Sequence, residues 1–168
     1  MKKLVLALVL LGAISCQQEK IAFVDNVKLM DTYQEKVDIE AKFKTRTEAF
    51  GKKRDSISQA FQMEAQAFQA KAQKMAQAKA QEEYGQLQQR SQFIGQQLQQ
   101  EEQQLQMQGQ TEMDSLVSRV KKEIKAYGES NGYSFILTGG DGGSVLYGKE
   151  AYNVTEAVVK ILNDNYKK

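Results

Sequence analysis

The segment from residue 40 to residue 127 limits the fold of this chain more than any other feature, because it contains no proline and is rich in alanine, glutamine, glutamate and lysine. These residue types are good helix formers. Glutamine-rich tracts can also be disordered, but here the apolar residues recur at intervals typical of a coiled-coil seam. The predicted seam comprises Ile57, Phe61, Ala65, Phe68, Ala72 and Met75, followed by Leu87, Ser91, Ile94, Leu98, Leu105, Met113, Leu116, Val120, Ile124 and Tyr127.

Two arrangements of this segment are consistent with the seam. A single helix over residues 40–127 would be about 130 Å long, whereas a helical hairpin would halve that length. The first part of the seam fades after Met75, the second begins at Leu87, and Gly85 between them is a natural helix breaker. We therefore predict a helical hairpin over residues 40–127 with its tip near residues 79–85.

Two glycines inside the predicted helices raise the question of a hinge. With a tip near residue 82, Gly51 on one helix would lie within about one turn of the level of Gly109 on the other. Each glycine costs a helix on the order of 1 kcal/mol relative to alanine, so two at one level would form a weak point. The alternative is that isolated glycines in a polar helix are simply tolerated.

The two ends of the chain differ from its middle. Three short apolar runs there have the character of strands, at residues 21–24, 133–138 and 144–147. The glycine-rich loop at residues 139–143 is typical of a β-hairpin turn. We predict that residues 21–39 and 128–168 together form one small α+β body, from which the helical hairpin projects.

Two short helices complete the predicted body. Asp25 or Asn26 can cap the first, and the inner face of that helix would carry Val27, Met30 and Tyr33. Asn153 and Glu156 have the spacing of a capping box at the start of the last helix. Strands so few in number leave open sheet edges, which oligomerisation would close.

The N-terminal residues have the features of an export signal. Residues 1–15 combine a basic start with an apolar run that is too short to span a bilayer as a helix. The single cysteine, Cys16, follows directly and cannot form an intramolecular disulfide. Cleavage by an ordinary signal peptidase would leave a free thiol, whereas residues 11–16 resemble the end of a bacterial lipoprotein signal. In that second interpretation Cys16 is lipidated and residues 16–20 form a short lipidated tether.

Charge and composition exclude several classes of function. The chain has 23 Lys and Arg against 21 Asp and Glu, so removal of Lys2 and Lys3 with the signal leaves 21 of each sign and no net charge. Nucleic-acid binding needs a positively charged surface. We therefore predict that this chain does not bind nucleic acid. The sequence lacks histidine, and its paired carboxylates, such as Glu82 and Glu83, fall on polar helix faces. We therefore predict neither an enzyme nor a metal or cofactor site.

Four stretches outside the hairpin carry a resemblance to a known family: KIAFVD at 20–25, SFILTGG at 134–140, VLYG at 145–148 and NVTEAVVKIL at 153–162. Together with the long polar hairpin, they resemble the Skp/OmpH family of periplasmic chaperones over nearly all of the chain after the signal. The resemblance implies a homotrimer in which the strands form a small central β-barrel. The three hairpins would enclose a cavity that holds unfolded outer-membrane β-barrel proteins without ATP.

The resemblance also suggests which side chains contact such clients, namely Phe50, Phe61, Met63 and Phe68. Packing within the hairpin is the stronger explanation for each phenylalanine, whereas Met63 lies off the seam. The family's basic arms are a point of difference, because residues 59–110 carry four Lys or Arg and five Glu. We therefore assign no residues of this chain to electrostatic capture of clients or to a lipopolysaccharide site, and both questions stay open.

The expected location is the periplasm, with the chain anchored to the outer membrane through a lipid on Cys16. Gln17 follows the cysteine, in place of the aspartate that retains some lipoproteins at the inner membrane. Two alternatives stay open. A structural coiled-coil lipoprotein, acting as a spacer or scaffold, would have one continuous helix, and an adaptor would dock one folded partner and ignore unfolded chains.

Overall fold

The computed structural model describes residues 19–167. In chain order its elements are strand β1 (Ile21–Asp25), helix α1 (Asn26–Thr32), helix α2 (Gln34–Ala72), helix α3 (Gln77–Ser130), strand β2 (Phe135–Gly139), a single 3-10 turn (Glu150–Tyr152) and helix α4 (Thr155–Tyr166). The predicted signal peptide at 1–15, the predicted lipidation at Cys16 and the first residues of the predicted tether at 16–20 lie outside the described residues.

The chain divides into two compact units. The hairpin unit is Glu35–Val117, and the sheet unit combines the described residues up to Gln34 with those from Ser118 onward. The predicted boundaries lie after residues 39 and 127, whereas the last turns of α3 belong to the sheet unit. Val120 is buried there, and the Glu123 carboxylate accepts a hydrogen bond from the Asn165 side chain in α4 (3.3 Å).

Strands β1 and β2 form a two-stranded parallel sheet. Ile21 lies opposite Phe135, and the register continues to Asp25 opposite Gly139. Parallel strands need a long connection, and α1, α2 and α3 all lie between them in the chain. The described chain is thus mostly helical with a small two-stranded sheet, which confirms the predicted α+β class.

The third predicted strand, at residues 144–147, is not formed. The predicted turn after β2 is present, because the Gly143 N–H donates to the Gly140 carbonyl (3.0 Å) and Gly140 has a φ of 80°. The N–H of Val145 donates to the Thr138 carbonyl (3.1 Å), but no ladder continues beyond it among the described residues. An apolar run becomes a strand only where a partner strand satisfies its backbone, and the described residues supply none here.

Helix α1 begins as predicted, and its predicted inner face is confirmed only in part. The Asp25 carboxylate caps it by accepting a hydrogen bond from the Lys28 N–H (2.9 Å). Leu29 and Tyr33 point into the core, while Val27, predicted to do so, is 45% exposed. The buried apolar side chains of the sheet unit are Ala22, Val24, Leu29, Tyr33, Val120, Val154, Val158 and Leu162.

The start of α4 is tied to the end of β1 by one buried hydroxyl. The Thr155 hydroxyl donates to Oδ1 of Asn153 (2.5 Å) and accepts from the Asp25 N–H (2.8 Å). Oδ1 of Asn153 also accepts from the Thr155 N–H (3.0 Å), but the N-cap of α4 is Val154, so Asn153, predicted as the N-cap, lies one residue before it. Glu156 does not complete the predicted box but pairs with Lys28 (3.0 Å). Its hydrogen bond and its charge raise the pKa of Lys28.

The predicted helical hairpin is present, but its tip lies earlier than residues 79–85. Helix α2 ends at Ala72 and α3 begins at Gln77. The turn between them is closed by hydrogen bonds from the Lys74 N–H to the Lys71 carbonyl (2.9 Å) and from the Met75 N–H to the Ala72 carbonyl (3.2 Å). In the described part of the chain no helix is both long and apolar enough to cross a membrane.

The earlier tip allows better pairing between the two helices. The ring of Phe68 stacks on that of Tyr84, with centroids 6.1 Å apart, whereas the predicted tip would have placed Gln96 near Phe68. Gly85 therefore lies inside α3. A helical glycine costs on the order of 1 kcal/mol, which an aromatic pair worth about 0.5–1.5 kcal/mol beyond its buried area offsets.

Candidate functional site

The predicted seam is the line along which α2 and α3 face each other in the hairpin unit. On α2 its members Ile57, Phe61, Ala65, Phe68 and Ala72 are half-buried, and most residues between them are exposed. On α3 the same holds for Leu87, Ile94, Leu98 and Leu105, while Ser91 is exposed. The periodicity is thereby confirmed, and the seam is thin, since few of its side chains are fully buried.

Gly109, which the sequence suggested as one of two hinge glycines, is instead a packing residue. A Cβ atom at Gly109 would lie 2.6 Å from Cε2 of Phe43, so the aromatic ring occupies the space that a side chain would fill. Gly51 is eight residues beyond Phe43, or about two helical turns. The two glycines do not share a level, and the predicted hinge is wrong.

We expect opposite effects on stability from alanine at two glycines of α3. Gly109→Ala should lower the free energy of unfolding by about 1–3 kcal/mol, because the new methyl overpacks against Phe43. Gly95→Ala should raise it by about 0.5–1 kcal/mol, because a Cβ there has no neighbouring atom within 4 Å. Urea unfolding followed by circular dichroism measures both. Equal stabilisation by the two substitutions would show that the Phe43 ring simply moves aside.

Three ion pairs join α2 to α3 within the hairpin unit. They are Arg46 with Glu112 (2.8 Å), Lys53 with Glu101 (2.5 Å) and Glu64 with Arg90. The members on α3 are eleven residues apart, which is about three turns, so they lie in one row. Exposed pairs contribute only about 0–1 kcal/mol each. The larger consequence of these ion pairs is that opposite charges lie side by side, so they produce little net electrostatic potential along the row.

The four residues predicted to contact clients fall into two groups. Phe50 is buried, Phe61 is half-buried with the Arg90 guanidinium 5.3 Å from its ring centroid, and Phe68 belongs to the aromatic stack described above. These positions favour the packing explanation for Phe50 and leave Phe61 and Phe68 partly accessible. Met63 is 70% exposed, which matches its position off the seam.

Four further exposed apolar side chains of the hairpin unit were not predicted from the sequence: Val37, Tyr84, Phe93 and Met107. Phe93 precedes the seam residue Ile94, and Met107 follows Leu105 by two positions. Both are off the seam, so the signal that singled out Met63 would also have found them. Methionine side chains are flexible and polarizable and adapt to varied apolar partners.

An open groove between α2 and α3, which we call the Gly95 groove, exposes part of the seam and has a volume of about 390 Å³. It is lined by half-buried Ile57, Phe61, Ala65, Ile94 and Leu98 and by exposed Ser58, Gln62, Ser91 and Gly95. None of these residues is charged. By contrast, a second groove of the unit includes Arg46, Lys53 and Glu101, and a third includes Glu64, Lys71, Glu83 and Arg90.

The sheet unit has an apolar surface of its own beside the two strands. Leu146 is fully exposed and Tyr147 is 83% exposed. A groove of about 680 Å³ lies next to them, lined in part by Phe23, Leu137 and Tyr152. The sheet has two strands, and its outer edges are paired only in part, for example where the Phe23 carbonyl accepts a hydrogen bond from the Val154 N–H (3.0 Å). A partly paired edge can still pair with another chain.

The raised pKa of Tyr127 in the sheet unit is a consequence of packing. Burial raises the pKa of Tyr127, and the neighbouring Tyr133 raises it further. The two rings stack with centroids 6.0 Å apart, and Nζ of Lys20 lies 4.1 Å from the centroid of Tyr133. Within residues 19–167 no three His, Cys, Asp or Glu side chains are grouped so that they could hold a metal ion.

Comparison with known proteins places the chain in a family. The profile of the family described as outer membrane protein (OmpH-like) matches residues 20–162. The chain belongs to the OmpH-like family. The match covers β1, β2, both long helices and most of α4, and it confirms the resemblance seen in the sequence.

An OmpH-like protein from Caulobacter crescentus CB15, described as a candidate outer membrane chaperone, has a similar crystal structure. It matches with a TM-score of 0.77 and 16% sequence identity, over 90% of this chain and 88% of that one. Identity this low shows a shared fold and nothing finer. No curated protein matches the sequence of this OmpH-like chain.

Proposed function

We propose that this protein is an ATP-independent holdase chaperone of the periplasm, which binds unfolded outer-membrane β-barrel proteins and prevents their aggregation. The observation that carries the proposal is the surface of the hairpin unit in a chain of the OmpH-like family. Exposed apolar side chains, among them Met63, Phe93 and Met107, lie on helices whose opposite charges are paired with each other. Such a surface offers many weak apolar contacts, and weak contacts release a client without an energy source.

The chaperone would act as a homotrimer whose hairpins enclose the client in a cavity. Support comes from the sheet unit, where the edges of a two-stranded sheet are paired only in part and Leu146 and Tyr147 are exposed. Pairing between copies would cover both features, since unpaired strand edges and exposed apolar side chains both favour association. Phe61, Met63 and Phe68 remain our proposed client contacts, and Phe50 is assigned to packing.

The hairpin itself argues against the spacer alternative. A spacer lipoprotein was expected to have one continuous helix, and α2 and α3 are separated by a turn between Ala72 and Gln77. An aggregation assay distinguishes the proposed chaperone from the adaptor alternative. An unfolded β-barrel protein diluted from urea should stay in solution with the chaperone and precipitate without it. An adaptor would leave the precipitation unchanged.

The proposed anchor is a lipid on Cys16, which would hold the protein at the outer membrane. Four residues separate Cys16 from the first residue of β1, so the tether is at most about 14–18 Å long. A trimer would carry three such lipids, and more than one lipid is needed for stable anchoring.

We expect wild-type protein to incorporate radiolabelled palmitate and to sediment with membranes, and Cys16→Ser to do neither. Loss of the lipid removes the only strong membrane attachment proposed, so the variant should move almost completely to the soluble fraction. Ser15→Ala is a suitable control, because it keeps a small residue before the cysteine. A Cys16→Ser protein that still sediments with membranes would contradict the anchor and leave the chaperone proposal intact.

A further inference from the structure

The Gly95 groove differs in charge from the surface on another side of the same helix pair. Ile57, Ile94 and Leu98 line it, and they also line a groove that contains Lys53 and Glu101. Ser58 and Lys53 are five residues apart on α2, which is about 140° around a helix. The seam is therefore reached from two sides, one bordered by an ion pair and the other by uncharged residues.

The open space at Gly95 is not required by packing within the chain. A Cβ atom there would have no neighbour within 4 Å, so a larger residue could be accommodated. Ser91, one turn earlier, occupies a seam position with a small polar side chain. Glycine at position 95 costs the helix on the order of 1 kcal/mol, and no contact of the described chain explains it. Its effect is to leave Phe61 and Ile94 accessible from this side.

The charge and size of the groove define what can occupy it. No lining residue is charged, and the Arg90 guanidinium, 5.3 Å from the Phe61 ring centroid, is already paired with Glu64. A charged side chain placed in the groove would therefore lose water without gaining an unpaired opposite charge, which is unfavourable. An apolar side chain would be buried against Phe61 and Leu98, while Ser58 and Gln62 at the edges can bond the peptide groups beside it. The groove is open, and its volume of about 390 Å³ leaves room for an apolar side chain.

We propose that the Gly95 groove binds an apolar side chain of an extended, uncharged segment of the unfolded client. This inference rests on the proposed function and names a site for it. Strands of transmembrane barrels alternate apolar and polar residues, so they supply isolated apolar side chains flanked by free peptide groups. Because no lining residue is charged, binding there should depend little on ionic strength.

The test fills the groove and compares the result with a matched substitution on the same helix. Gly95→Phe occupies the groove, and Gly85→Phe is the control, because a Cβ at Gly85 also has no atom within 4 Å and Gly85 does not line the groove. The probe is a fluorescently labelled outer-membrane β-barrel protein diluted from urea. We expect Gly95→Phe to raise the Kd about tenfold, as loss of one buried apolar side chain would.

The control variant keeps the outcome interpretable. Gly85→Phe leaves the groove unfilled and should bind within about twofold of wild type. Circular dichroism and thermal melting check that each variant folds. Equal binding by wild type and Gly95→Phe would contradict client binding in the Gly95 groove and leave the chaperone proposal intact. A wild type that holds no client would overturn the chaperone proposal and the groove with it.

Discussion

Leu162→Ala is expected to lower the free energy of unfolding by about 2–5 kcal/mol. Leu162 is 1% exposed on α4, which packs against α1 and β1. Its removal leaves a cavity between these elements, because the small core of the sheet unit has few side chains that could move in to fill it. Urea unfolding at one fixed protein concentration, followed by circular dichroism, measures the loss.

The matched control for this prediction is Val27→Ala in the same unit. Val27 is 45% exposed on α1, so its truncation should change the free energy of unfolding by no more than about 0.5 kcal/mol. If the two variants were equally stable, Leu162 would not lie in the core that the structure describes.

Leu146→Lys is expected to abolish trimer formation and to leave a folded monomer. Leu146 is fully exposed in the single chain, so a lysine there costs the isolated subunit nothing. In the proposed trimer the same side chain would be covered by a neighbouring copy, and burial of an unpaired ammonium costs several kcal/mol. Light scattering should therefore give one third of the wild-type mass, and the variant should no longer keep clients soluble.

Met107→Lys serves as the control for Leu146→Lys. It places the same charge at an exposed apolar position of the hairpin unit, far along the chain from the sheet surface, and should leave the trimer mass unchanged. A Leu146→Lys protein that kept the wild-type mass would show that residues 144–147 take no part in association.

The helical part of the fold could be predicted because its signal is local and repeated. Seam residues such as Phe61, Leu87 and Leu98 recur every three or four positions, and the structure half-buries them. The Asp25 cap of α1 was predictable for the same reason, since a capping side chain reaches only a few residues along the chain.

Features that depend on distant partners could not be predicted in the same way. Gly85 looked like a breaker, but the contact of Phe68 with Tyr84 places the tip between Ala72 and Gln77. Gly109 is explained by Phe43, which lies on the other helix of the hairpin. Residues 144–147 have a strand-like sequence but no partner strand among the described residues.

The candidate site shows the same division between local and distant information. Met63 was identified because a large apolar residue off the seam is visible in the sequence, and Phe93 and Met107 follow the same rule. The Gly95 groove was not predictable, because it depends on which residues of α2 lie opposite Gly95. That pairing is set by the position of the tip, which the sequence pattern placed several residues too late.

The most direct test of the account is light scattering on residues 17–168, which include every described residue. The protein is measured alone and after mixing with an outer-membrane β-barrel protein diluted from urea. We expect a trimer that gains about one client and keeps it in solution. A dimer, or a trimer beside which the client precipitates, would contradict the chaperone function and leave a scaffold or an adaptor with an OmpH-like fold.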